Sequence, residues 1–467
     1  MGDTATDRNT KHANRSARRD IEHVDCVISG GGPAGIVAGL LLARGGVKVV
    51  VLEKHEDFFR DFRGDTILPS TLRLLDELGL YHEFARIAHR RVEGVTLSGR
   101  SGDEVLLADF TRLNLPHPFM TIAPQWDFIN LLAQAGADEP NFDLRMGIEA
   151  TSLIWDDGRV VGLRARTAPA AEATRHADAA PGSAQAPTTA TKPLEFRAPL
   201  VIAADGRWSK ARAEAGLAVR ELHSTIDVWW FRIDTEAALP DSVAPRGQDG
   251  KVFVVIPRRG HVQIARLIPK GADERLRAEG IEALRRAVAE TYPQLSADVD
   301  ALECTDVKLL DVRRNEARRW SAEGLLCIGD SAHAMSPLGG VGVNLAVQDG
   351  VAAARMLAPS LRSGHISAAD LRRIRIRRLP TTRAVEFLQS MIHRMVEPAV
   401  HGRAPIRPPG PVEWLLTTVP ALTRIPARIL GVGITAEHAP DFARTRSSGL
   451  PQSSSTVSTT DRDATSA

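Results

Sequence analysis

Three short stretches of this chain combine residue types and spacings suited to chemistry. The first, Gly30-Gly31-Gly32-Pro33-Ala34-Gly35, has glycine at each required place of a G-x-G-x-x-G pattern. Gly30 permits a tight turn, Gly32 lets the main chain approach a pyrophosphate, and Gly35 lets the following helix lie close to a sheet. Pro33 and Ala34 lead into the Ile36 helix, whose unpaired N–H groups and positive end favour an anion. Glu53 stands about twenty residues on, where a carboxylate binds ribose hydroxyls, and its neighbour Lys54 is either beside the adenosine end or an ordinary surface lysine. The spacing predicts a dinucleotide site but does not separate one dinucleotide from another. The second stretch is Asp205-Gly206-Arg207-Trp208-Ser209-Lys210-Ala211-Arg212. The third is Gly329-Asp330-Ser331-Ala332-His333, followed by Pro337. His333 is a candidate base, although ordering its own loop is a simpler role for it.

These residues need a scaffold, and the surrounding pattern supplies one. Val24–Ile28 and Val47–Leu52 read as short buried strands, with the Ile36–Arg44 segment apolar on nearly every side between them. That is a βαβ unit. A helix is expected from Ser70, as its N-cap, to Gly79, and another over Trp126–Ala135. Strand patterns cover Leu153–Arg166 and Leu194–Ala203, joined by an Ala-, Thr- and Pro-rich loop. Residues 226–268 read as a separate sheet, in which Trp229 and Phe231 share one face and are candidates to line a substrate pocket. Asp205 and Asp330 each follow a short apolar strand, at the edge where such sheets bind ligands.

The bulk numbers exclude several classes. A net charge of +2 gives no electrostatic case for a nucleic-acid partner. Arg372, Arg373, Arg375, Arg377 and Arg378 are read as a solvated helix face. Cys26, Cys304 and Cys327 have no paired spacing, so reduced thiols are expected and neither a disulfide framework nor a metal site. No apolar run approaches the roughly twenty residues of a membrane span, and a cytoplasmic protein is expected.

Together, in order and spacing, the three stretches resemble the fingerprints of the class A (group A) FAD-dependent monooxygenases, the aromatic-ring hydroxylases, over residues 24 to 357. The resemblance implies an α/β fold: a glutathione-reductase-like FAD-binding domain (Rossmann-type βαβ), a β-sheet substrate domain and a helical C-terminal region. The expected organisation is a disordered segment 1–22, FAD-binding parts 23–110, 111–225 (with a flexible insertion 167–193) and 311–360, a mainly substrate domain 226–310, a helical region 361–444 and a disordered tail 445–467. It also implies that Gly329 and Asp330 meet the ribityl chain of FAD. Pro337, Leu338, Gly339, Gly340, Val341, Gly342, Val343 and Asn344 then form the loop beside the flavin ring. Arg63 matches a flavin-contacting arginine, and Gln125 a position that reaches the ribityl or phosphate region. Asp205 lies near FAD in a segment associated with NAD(P)H use, where Arg207 and Arg212 either meet nicotinamide phosphates or pair at the surface.

The implied reaction uses NAD(P)H and O₂ to oxygenate an aromatic or polyketide-like small molecule through a flavin C4a-hydroperoxide. An FAD-dependent dehydrogenase or isoprenoid-type reductase, and a non-catalytic flavin-fold binding protein, are the alternatives. The halogenase signature Trp-x-Trp-x-Ile-Pro is absent from the sequence. Finally, the apolar segment 411–434 is expected to pack over the substrate entrance in preference to lying on a membrane.

Overall fold

The computed structural model describes residues 20–59, 66–100, 103–168, 192–237, 245–258 and 260–445. Arg63, most of the expected insertion and most of both chain ends lie outside the described residues.

Four short parallel strands build the centre. Leu325–Cys327, Leu200–Ala203, Cys26–Ser29 and Val49–Leu52 lie side by side, with Phe142–Arg145 beyond and Ser321–Ala322 antiparallel at the other edge. Every residue of these four strands is buried, which explains why they read as continuous apolar runs without alternation. The Pro33–Arg44 and Gly342–Arg362 helices pack over one face with Leu40, Val347, Val351 and Leu357. The other face meets Leu163, Phe196 and Trp320.

That second layer corrects two expectations. The Leu153–Arg166 run is a hairpin, Ile148–Asp156 with Arg159–Thr167, turning at Asp157 and Gly158, both at positive φ. An Asp-Gly pair is the residue pair a two-residue hairpin turn favours. The Leu194–Ala203 run is also two strands. Pro193–Arg197 joins the hairpin and Leu200–Ala203 joins the central sheet. A further correction concerns the helix Pro69–Glu77. Its N-cap is Leu68, and the Ser70 hydroxyl faces inward to donate to Asn344 Oδ1 at 2.8 Å.

The second domain is an antiparallel sheet in the order Arg246–Gln248, Lys251–Arg258, His261–Pro269, Ile226–Asp234, Lys308–Leu310. Helices Asp273–Ala278 and Ile281–Thr291 cover one face, with Leu276, Leu284 and Val288 turned inward. Its other face meets the long helix Ala368–Val400 through Ile392, Met395 and Val396, and the loop at Leu338. Ser367 and Asp370 cap that helix reciprocally. Its arginines are not all solvated as expected: Arg378 is 0% exposed, and Arg377 pairs with Glu437 at 2.8 Å. Helix Arg424–Gly431 packs through Ala427 and Leu430, but Gly410–Thr418 buries no residue and leaves Trp414 66% exposed. No helix among the described residues is long and apolar enough to cross a membrane.

Candidate active site

Each motif begins where a central strand ends. Gly30 follows Ser29, Glu53 follows Leu52, Asp205 lies two residues beyond Ala203, and Gly329-Asp330 lie just past Cys327. Because the strands are parallel neighbours, the four ends line one edge, where open α/β sheets bind ligands. Residues scattered over three hundred positions become one row.

The glycine turn is sterically obligatory at two points. Gly30 has φ +107°, and a Cβ there would lie 2.3 Å from Ala204 O; on Gly35 it would lie 1.9 Å from Gly30 O. At Gly32 it would meet nothing within 4 Å, so the main chain there faces open space. The Pro33–Arg44 helix carries no side-chain cap, and its first-turn N–H groups lack intrahelical partners. Glu53 is buried, accepting from Gly31 N at 2.9 Å and His55 N at 3.1 Å. It therefore braces the turn. Lys54 is exposed beside it, and Gln125 is half-buried at the first turn of the Gln125–Ala137 helix.

The two aspartate motifs are bound to one another. Arg212, buried, donates to Ser331 O at 2.8 Å and to Arg207 O at 3.1 Å, while Arg207 stands 3.7 Å from the Asp330 carboxylate. Arg212 is thus consumed inside the protein, and only Arg207 keeps a partly open face. Asp205 Oδ2 accepts from Lys210 N at 3.0 Å, but its buried Oδ1 has no partner. Burial raises the Asp205 carboxyl above the ordinary range, against the pull of its hydrogen bonds from Ser209 and nearby N–H groups.

His333 is buried, with Nε2 2.6 Å from Asp349 Oδ2 and its ring 4.8 Å from that of Trp320. Asp349 also accepts from Gly329 N at 3.0 Å and from Arg378 Nε at 2.9 Å. Burial would raise the Asp349 carboxyl, but the His333 imidazole and the Arg378 guanidinium hold it below the usual carboxylate range. This geometry gives His333 an ordering role. Arg378 continues to Gln348, which bonds Ser70, and Ser70 and Thr71 both donate to Asn344 at the first turn of the Gly342–Arg362 helix. Sequence reading missed Asp349, Arg378 and Gln348, because a helix interior gave no signal that polar side chains there were paired.

The Pro337–Gly342 loop precedes that helix. Gly340 N donates to Pro337 O at 3.1 Å, Val341 anchors in the core beside Met335 and Leu430, and Gly339 is exposed. The helix has no side-chain cap. Trp229 and Phe231 do not face this loop. Both are buried against the Asp273–Thr291 helices, and Trp229 Nε1 donates to Asp273 Oδ1 at 2.7 Å. Their neighbour Trp230 shares the Leu338 side, with its buried indole N–H unpartnered.

The donor and acceptor set suits one kind of ligand. Uncapped helix N-termini at Pro33 and Gly342, open space at Gly32, an unpartnered Asp205 oxygen and the partly exposed Asp330 match a pyrophosphate, hydroxyls and a hydrogen-bond-accepting ring edge. Fold and site together define a flavin-type dinucleotide-binding protein. Residues 23–387 match the model of the family described as an FAD binding domain. The chain is 30% identical over 413 residues to 6-methylpretetramide 4-monooxygenase of Streptomyces rimosus, covering 88% of this chain and 93% of that protein. It is 27% identical over 367 residues to aklavinone 12-hydroxylase of Streptomyces peucetius, covering 73% and 68% respectively. The anhydrotetracycline hydroxylase OxyS from Streptomyces rimosus shares the fold, with a TM-score of 0.67 at 20% identity over 88% of this chain and 76% of that one. The chain belongs to the FAD-binding-domain family and is an FAD-dependent monooxygenase of the aromatic hydroxylase group, with NAD(P)H as co-substrate.

Proposed function

We propose that this enzyme hydroxylates a polycyclic, phenolic substrate of the polyketide type in the cytoplasm. The reading is supported most directly by the relative acting on 6-methylpretetramide, which aligns over nearly the whole of both chains. FAD, when bound, supplies the redox and oxygen-transfer chemistry, so the protein needs no nucleophile of its own.

The protein's tasks are to bind, orient and exclude water. Gly30, Gly32, Pro33, Ala34 and Gly35 would hold the pyrophosphate at the helix N-terminus, Glu53 the ribose, and Gly329 and Asp330 the ribityl hydroxyls. N–H groups of the Gly339–Asn344 segment and the positive end of the Gly342–Arg362 helix would face the ring edge that gains negative charge on reduction. Arg63 and Gln125 would add contacts along the cofactor, and Lys54 would stand at its adenosine end. Asp205, poised with one oxygen unpartnered, and Arg207 would meet the nicotinamide co-substrate. The Trp230 indole N–H, in the cluster shared with Leu338, would donate to a substrate oxygen. The apolar wall around it would keep water from the reacting atoms.

The test is aerobic and anaerobic stopped-flow turnover of the flavin-loaded enzyme with NADPH or NADH and a set of tetracyclic phenolic polyketides and simple phenols. Substrate-accelerated flavin reduction followed by a mono-oxygenated tetracycle supports the proposal. Oxygenation of simple phenols alone would move the substrate class, and reduction without oxygen incorporation would point to a dehydrogenase.

A further inference from the structure

The loop leading into the flavin position is held from behind by a helix that carries none of the motifs. Gln389, fully buried on the Ala368–Val400 helix, uses both ends of its amide on this loop. Its Nε2 donates to Ser336 O at 2.8 Å and to Leu338 O at 2.9 Å, while its Oε1 accepts from Ser336 N at 3.3 Å. One turn further along the helix, His393 Nε2 lies 2.9 Å from Ser336 Oγ, and that hydroxyl oxygen also accepts from Leu338 N at 3.3 Å. Two side chains thus meet both main-chain groups of Ser336, its hydroxyl and the Leu338 carbonyl. Main-chain groups in a connecting loop are ordinarily satisfied locally or by water. Here they are satisfied from a distance of more than fifty residues, which fixes where the loop sits.

The same helix touches the second domain. Ile392 and Met395 share a core cluster with Val228, Trp230, Val252 and Leu338. Leu338 itself is therefore clasped on two sides, by Gln389 through its carbonyl and by the substrate-domain sheet through its side chain. The loop's far end is fixed by Val341 in a different cluster. Only the turn between, Pro337 to Gly340, remains partly open.

We infer that Gln389 and His393 are positioning residues for the cofactor. They set the height of the Pro337–Gly342 peptide groups, and so how well those N–H groups meet the charge that builds on the flavin when it is reduced. The inference rests on the assignment of this loop to the flavin ring. Misplaced donors penalise reduced FAD more than oxidised FAD, because the reduced ring carries the extra negative charge.

The substitution that isolates this is Gln389→Met, similar in length and helix preference but without the hydrogen bonds. A companion, Leu284→Ala, removes packing from a buried residue under the second sheet, in a cluster that includes no residue of the loop. Both are compared with the parent protein for thermal stability, FAD affinity by fluorescence, and flavin midpoint potential. For Gln389→Met the expected result is reduced FAD losing about tenfold more affinity than oxidised FAD, which for a two-electron couple lowers the potential by about 30 mV. Leu284→Ala should lower the melting temperature and leave the potential alone. His393→Asn and Ser336→Ala are expected to shift the potential in the same direction by less, and they carry the test should Gln389→Met not fold. An unchanged potential in folded, flavin-bound variants, or an equal shift in Leu284→Ala, overturns the inference while leaving the flavin assignment intact. A parent protein that binds no FAD overturns both.

Discussion

At the scale of single residues, the molecule places strong charges where they must be paired. Asp349 and Arg378 are each 0% exposed, and Asp349 serves His333 and Gly329 N at once. Removing one partner of such a pair leaves an uncompensated charge, which costs about 3–5 kcal/mol. Asp349→Ala should therefore lose about that much unfolding free energy in urea titrations and release bound FAD at lower denaturant than the parent. His393 gives a pH signature. Burial, with the Arg314 charge nearby, lowers its pKa from 6.5 to about 4. Between those values the unfolded chain binds the proton and the folded chain does not, so stability rises with pH across that window and the gain is complete above it. His393→Asn should flatten that part of a stability-versus-pH curve; an unchanged slope would assign it to other groups. The glycine turn and Glu53 were legible from spacing, because a dinucleotide site demands particular residues at particular places; the two aspartate motifs were legible only through resemblance to the family's fingerprints. Asp349, Gln389 and His393 were not, since nothing in a helical pattern distinguishes a buried, paired polar group from a solvated one.

At the scale of elements, the two tryptophans of one strand separate packing from recognition. Trp229 lies under helices and Trp230 on the opposite face. Trp229→Ala should cost about 3–5 kcal/mol of stability and leave the ranking of substrates unchanged. Trp230→Phe should keep the melting temperature near that of the parent and raise KM for the oxygenated substrate severalfold. The reverse pattern would place the substrate on the helix-covered side. Alternation along Ile226–Asp234 did reveal that these residues fall on two faces. It could not reveal which face the Asp273–Thr291 helices would cover, because that choice is made by chain segments forty residues further on. The two runs read as single strands failed for a related reason. In the first run Asp157-Gly158 already carries a turn signal, which the strand pattern on either side masked; in the second, apolar content resumes directly after Ala198-Pro199, and only partner strands decide where one element stops.

At the scale of the whole molecule, the βαβ core, the separate sheet and the helical end were legible, since each has its own hydrophobic period. What joins them was not: the Ala368–Val400 helix touches both the second sheet and the loop leading to the Gly342–Arg362 helix. Because the motifs stand at the ends of four neighbouring strands of the central sheet, FAD bound across that edge should stabilise the molecule as a unit. At free FAD one hundredfold above its Kd the gain is about 2.7 kcal/mol, visible as one cooperative transition moving to higher temperature; a split transition would mean that the domains melt separately. The row of strand ends has a further consequence, in time. Neighbouring strands begin at residues 26, 49, 200 and 325, in that order along the chain but not across the sheet. While the ribosome is still making the protein, the glycine turn waits beside a gap. At about 5–20 residues per second, the strand that carries Asp330 arrives roughly 20–70 s after synthesis begins. Through that interval the half-built edge is the surface a chaperone would meet, and FAD can be captured in full only once more than two-thirds of the chain has been made.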